Sequence, residues 1–310
     1  LNEKNKTLIF IYLFTNKLVF FKKKYFFYLV LFLSLSCNKD DDNVVPDKFK
    51  FNYNLHSSLP QDWIDEFNVI MGNLDKHIPV KPTSYFPELD IYAWKSSADK
   101  PYKKQIGNAD GACICGNSKE RYMVLEIPES EFTYKDMHRY SVIPHEVFHA
   151  YQMGLSENFF KPDGLELKWM AEGGAASFES LYIQQYYSFD YFSNSQANID
   201  VAVTSTPEIY ESYDSNGPKD QNYASSVFMV LVLVKELQKQ NISEEKAFRM
   251  VYKDFWEKNA DKNNWKTAFK ELFNIEVNDF YNILKDGQSY GPTISNVKPS
   301  SNLKLENIFL

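Results

Sequence analysis

The sequence predicts an α+β fold, and three observations carry that prediction. Trp63, Ile64, Phe67, Ile70, Met71 and Leu74 recur at helical spacing between Leu59 and His77. Residues 78–128 then change character. Pro79, Pro82, Pro87 and Pro101 punctuate short apolar runs, and two of these, 89–94 and 122–127, read as strands of a small sheet. From about Thr133 onward a helical pattern dominates, over 141–153, 166–187, 222–240, 243–258, 261–273 and 277–286. Strands first and helices after is the order of an α+β domain. Residues 287–310 carry Gly, Pro and Ser without periodicity and are expected to be loop, with room for one closing strand. The apolar stretch 227–234 is too short to span a bilayer and belongs in a core.

Composition narrows the class. The 310 residues are 44% hydrophobic and 24% charged, which suits a folded domain with a sizeable core and argues against global disorder. Eleven Gly and 13 Pro exclude collagen-like material. A net charge of −7 argues against a nucleic-acid partner. That charge is unevenly spread, because residues 1–36 hold six Lys and one acid. The remainder has 28 basic and 40 acidic residues, a charge of −12.

The basic, apolar front has the pattern of an address. Lys22, Lys23 and Lys24 precede an apolar run, 25–35, that ends at Ser36 and Cys37. A basic region, an apolar region of this length and small residues at its end describe a bacterial export signal. Leu35-Ser36-Cys37 resembles a lipobox, which implies lipidation of Cys37 as the first residue of the mature chain. A membrane anchor with an incidental cysteine is the alternative. Residues 38–43, one Lys among Asn and Asp, resemble the surface-export tether of Bacteroidetes-type lipoproteins. The expected division is therefore a signal peptide over 1–36, an acidic tether over 37–48, a domain over 49–290 and a tail over 291–310. The expected location is the bacterial outer membrane or cell surface, with the membrane reached through the lipid alone. No methionine precedes Met71, so these residues do not define a start of translation.

Two further cysteines, Cys113 and Cys115, are separated by one residue. A disulfide across so short a gap is tight, and two free thiols are the alternative. A Cys-X-Cys metal site needs more ligands than the neighbouring sequence offers.

The chemistry concentrates at His145-Glu146-Val147-Phe148-His149, an H-E-x-x-H pattern. Residues four apart share one face of a helix, so both imidazoles can address one metal ion, with the Glu146 carboxylate beside them as a base. Ser141 as cap, Pro144 in the first turn and Gly154 as terminator would frame that helix. Two partly exposed histidines on an amphipathic helix are the alternative. A third ligand, Glu172, lies in Trp169-Met170-Ala171-Glu172-Gly173-Gly174-Ala175, at the start of another helical segment. Two His and one carboxylate form a known catalytic zinc set with a fourth position open.

His145-Glu146-x-x-His149 followed by Trp169-x-x-Glu172-Gly173-x-Ala175 resembles the gluzincin metallopeptidases, and is nearer their aminopeptidase N-like branch than the thermolysin-like one. The motif-level likeness covers about residues 141–180. It implies a zincin-like fold in which a small N-terminal mixed sheet and an active-site helix precede a mostly helical part. It also implies one zinc per chain held by His145, His149 and Glu172, with Glu146 as general base for a water that attacks a peptide carbonyl. A weaker likeness over 223–228 and 268–281 implies that Tyr223 stabilises the oxyanion; Tyr210 and Tyr213 are rivals, and ordinary packing is the alternative. By the same resemblance the strand 122–127 is expected to be a sheet edge along which an extended substrate pairs, and an ordinary buried strand is the alternative.

The chain also departs from the family pattern. Thermolysin-like enzymes carry an Asp four residues after the ligand Glu, where this chain has Ala176. Glu179, two turns after Glu172, reads first as part of a solvated helix face, with a contribution to that orientation as the alternative. The Gly-x-Met-Glu-Asn exopeptidase signature is absent, so recognition of a free amino terminus is not expected. His56, His77 and His138 have no partner pattern and read as surface or core residues. The expected function is a zinc endopeptidase acting on a peptide or protein substrate. A surface lipoprotein that binds peptides or glycans on a degenerate peptidase fold is the competing expectation, and a hydrolase of non-peptide bonds a third.

Overall fold

The computed structural model describes residues 45–117, 120–159, 161, 164–212, 223–287 and 289–309. Cys37, the signal and tether segments up to residue 44, and Tyr213 lie outside the described residues. The architecture is α+β. A four-stranded sheet is made of β1 (Lys50–Leu55), β2 (Glu88–Lys95), β3 (Ala112–Gly116) and β4 (Arg121–Ile127), in the order β1-β2-β4-β3. β1 pairs with β2 and β2 with β4 in parallel, whereas β3 runs antiparallel to β4. The parallel step from β1 to β2 needs a crossover, and α1 (Gln61–His77) supplies it. Its Trp63, Phe67, Ile70, Met71 and Leu74 are buried, as the helical stripe requires.

β1 was not anticipated, although Phe51, Tyr53 and Leu55 alternate with Lys50, Asn52 and Asn54 in the two-residue period of a strand. The position of 122–127 is a correction. β4 lies between β2 and β3, so the edge strands are β1 and β3, and β3 is the one beyond β4. Leu89, Ile91, Ala93, Met123, Leu125 and Ile127 point from β2 and β4 into the main core, beneath the helices. Tyr92, Trp94 and Val124 point the other way and join Ile106 in a small second cluster.

The remainder is helical: α2 (His138–Leu155), α3 (Lys168–Tyr187), α4 (Tyr223–Lys239), α5 (244–257, π-wound over Met250–Asp254), α6 (Trp265–Phe273) and α7 (Val277–Lys285). α2 begins three residues before the expected cap. Ser141 therefore lies inside it, fully buried, and donates to the Tyr191 hydroxyl at 2.7 Å. Pro144 sits beyond the first turn, and the helix runs through Gly154 to Leu155. Gly154 serves a different purpose from termination, since a Cβ there would meet Lys81 N and O at 2.9 Å each.

α3 and α4 cross closely behind the site. A Cβ on Gly173 would lie 2.3 Å from the Ser226 carbonyl oxygen. Backbone cannot yield as a flexible side chain can, so Gly173→Ala is expected to cost about 1–3 kcal/mol by overpacking. The urea midpoint should fall with an unchanged slope; a wild-type midpoint would mean that the two helices separate freely.

Every residue from Val227 to Val234 is buried, and no described helix is long and apolar enough to cross a membrane. The last stretch forms two helical turns, Ile294–Val297 and Leu305–Phe309, in place of a closing strand. Ile294, Val297, Leu303, Leu305 and Ile308 complete the main core.

Candidate metal centre

His145 and His149 are one turn apart on α2, and Glu172 reaches them from the second turn of α3. Their Nε2 atoms stand 3.2 Å apart, and each is 3.3 Å from Glu172 Oε2. The outer ring nitrogens are already engaged. His145 Nδ1 donates to Glu179 Oε2 at 3.0 Å, and His149 Nδ1 donates to Gln152 Oε1 at 2.8 Å. With Nδ1 protonated, each neutral imidazole turns its Nε2 lone pair inward. Two lone pairs and a carboxylate oxygen then face one another in a buried place, which is repulsive unless positive charge lies among them. Among the described residues this is the group of His, Cys, Asp and Glu side chains able to hold a metal ion. The spacing fits such an ion, because four tetrahedral ligands at about 2.0–2.1 Å have their atoms about 3.3 Å apart.

The ionisation of these groups follows the same logic. Burial lowers the His145 imidazole, but hydrogen bonds to Glu172 and Glu179 outweigh it and hold His145 well above the usual range. Burial likewise lowers His149, and the Glu172 charge reverses it to a net rise. Burial raises the Glu172 carboxyl, yet the charge of His149 and the hydrogen bonds from both imidazoles take it well below the ordinary value. Glu146 is raised, chiefly by burial.

Glu146 is set apart from its neighbours. It is buried, and its Oε2 has no hydrogen-bond partner among the described residues. It lines a cavity of about 460 Å³ with His145, His138, Val142, Tyr191, Gln196 and Tyr223, and with Ala112 of the edge strand. The Tyr223 ring meets the His145 ring edge to face, centroids 5.7 Å apart, and Tyr223 is exposed at the mouth. Its rival Tyr210 is fully buried in the main core.

The surroundings of the three ligands were only partly anticipated. Glu179 does not lie on a solvated face; it is 8% exposed, holds His145 and is itself approached by Gln196 Nε2 at 3.4 Å. Two helical turns separate it from Glu172, which was the available signal. Gln152 was missed, although it follows His149 by three residues and so shares its helix face. Its Nε2 donates to Ala171 O at 3.3 Å, tying α2 to the first turn of α3. His138 also borders the cavity, two turns before His145, with its Nδ1 2.8 Å from Glu131 Oε1. His77 pairs with the Tyr186 hydroxyl at 2.6 Å, and His56 Nδ1 accepts from Ser58 N at 3.2 Å.

Losing a partner that orients a ligand weakens metal affinity by about 10–100-fold. That loss is expected for Glu179→Ala, measured by competition with a chromophoric chelator; wild-type affinity would reduce Glu179 to a packing residue.

No protein-family model, curated protein or solved structure matches the chain.

Proposed function

We propose that the chain is a zinc-dependent endopeptidase of the gluzincin type, with a zincin-like fold, held at the cell surface by lipid on Cys37. One observation carries the catalytic part. Three inward acceptors, 3.2–3.3 Å apart, adjoin Glu146, a buried residue that lines a cavity and whose Oε2 has no hydrogen-bond partner among the described residues. A protein that only bound peptides would have no use for a buried carboxylate beside that group, since its desolvation costs free energy. The two-imidazole, one-carboxylate donor set suits zinc.

His145, His149 and Glu172 would hold the ion, which supplies a Lewis acid able to polarise a carbonyl and acidify water. Glu146 takes a proton from the attacking water as the water oxygen bonds to the carbonyl carbon. The same carboxyl returns that proton to the amide nitrogen as the carbon–nitrogen bond breaks. Tyr223, against the His145 ring at the cavity mouth, offers a phenol to the oxygen that gains charge. Glu179 and Gln152 keep the imidazoles turned inward throughout.

The test is an unbiased peptide library incubated with zinc-loaded protein and read by mass spectrometry, with Glu146→Gln as control. Cleavage that the control lacks is expected. Equal ligand binding by both proteins with no cleavage by either would establish a binding lipoprotein instead.

A further inference from the structure

We infer that the Cys113–Cys115 disulfide is a positioning device for the substrate backbone, an inference that rests on the peptidase reading above. β3 is the outer strand of the sheet on the side of the metal centre, and its first residue, Ala112, lines the cavity that holds Glu146. At the two ends of its pairing with β4, Glu126 N donates to Gly111 O and Asn117 N donates to Glu120 O. Antiparallel pairs alternate between bonded and non-bonded. In the observed register Cys113 and Cys115 therefore turn their amide and carbonyl groups to Val124 and Tyr122 of β4. Those of Ala112 and Ile114 turn to the free edge, where an extended peptide can add as a further strand.

The disulfide encloses Ile114 alone. Successive side chains of a strand point to opposite faces, so the two sulfurs lie on one face. Cys113 packs there with the Tyr92, Trp94 and Val124 cluster, whereas Ile114 packs on the main core. The bridge is thus outside the cavity, on half-buried residues. It holds the Cys113 and Cys115 Cα atoms 5.4 Å apart, whereas two residues of regular strand advance about 6.6 Å. The contraction spans Ile114, between its outward-facing N–H and its outward-facing carbonyl. A change of about 1 Å exceeds the tolerance of a hydrogen bond, so the bridge sets which backbone spacing the edge accepts. A phosphine reductant releases it: the sulfur–sulfur bond breaks, phosphorus takes the oxygen of water and each sulfur takes a proton.

The full chain carrying Glu146→Gln, whose turnover is expected to be slower by about 10²–10⁴-fold, allows binding to be read apart from cleavage. A fluorescent ten-residue peptide is titrated by anisotropy into this protein and into the same protein with Cys113→Ser and Cys115→Ser. About tenfold weaker binding is expected without the bridge, with the same loss in the phosphine-reduced chain. A peptide N-methylated along its backbone, unable to pair with an edge, should bind weakly and equally to all forms. In proteins with Glu146 intact, KM should rise by a similar factor while kcat moves less. Equal affinity for the unmethylated peptide with and without the bridge overturns the inference, and cleavage with equal KM overturns it while leaving the peptidase reading standing. Absence of binding and cleavage in every form removes the peptidase reading, and this inference with it.

Discussion

Glu146→Gln is expected to lower kcat/KM by about 10²–10⁴-fold while the protein retains one zinc per chain, because a general base contributes about that much. The substitution keeps the side-chain size, and Glu146 is not among the three groups whose atoms converge at 3.2–3.3 Å. An amide cannot take a proton from water, and its NH₂ group would sit where Oε2 now lies without a partner among the described residues. Parallel assays of zinc content and peptide hydrolysis separate the two properties. Wild-type turnover in the variant would remove Glu146 from the mechanism.

Glu172→Ala should have the opposite signature, loss of the metal itself. Of the three convergent donors only Glu172 carries formal negative charge, and it is 8% exposed, so water does not readily replace it. Removing it leaves two imidazoles on one helix with no third protein ligand, too few for a stable zinc site. Zinc per chain after dialysis should fall below about one tenth, and activity should fall with it. Glu172→Asp, whose carboxylate sits one methylene farther from the imidazoles, should retain metal partially. Full zinc content in Glu172→Ala would show that the ion sits elsewhere.

The ligand set was legible because it lies on two helices at spacings that fix which face each residue shares. Four residues separate His145 from His149, and the helix that presents them needed no tertiary knowledge. The role of Glu179 was only partly legible, for a related reason. Reading a charged residue as solvated assumes that a helix has a wet face, but α3 is buried at every position from Lys168 to Ile183. With no wet face on that stretch, a carboxylate there must find a partner, and it finds His145. The sheet edge was misplaced because β3 is five residues, Ala-Cys-Ile-Cys-Gly, with a lone Ile among small and sulfur-bearing side chains and without the apolar run that marks β4. Strand order is decided by pairing between distant segments, which local pattern does not encode. The limits of α2 moved because the Met137 carbonyl accepts the Tyr140 and Ser141 amides and starts the helix before the residue that had looked like its cap.

The placement of the three convergent groups on two helices bears on more than chemistry. An ion shared by His145 and His149 on α2 and Glu172 on α3 is a crosslink between elements that pack in the middle of the domain. Anything that binds the folded chain and not the unfolded one raises its melting temperature by mass action, by about 2.7 kcal/mol of stability when free ligand stands at a hundred times its dissociation constant. If the chain is the surface-held zinc metallopeptidase proposed above, the zinc concentration outside the cell would govern how long the molecule survives there as well as how fast it works. Starvation for the metal would shorten the protein's lifetime among neighbouring proteases, and the population would thin out rather than persist as idle enzyme.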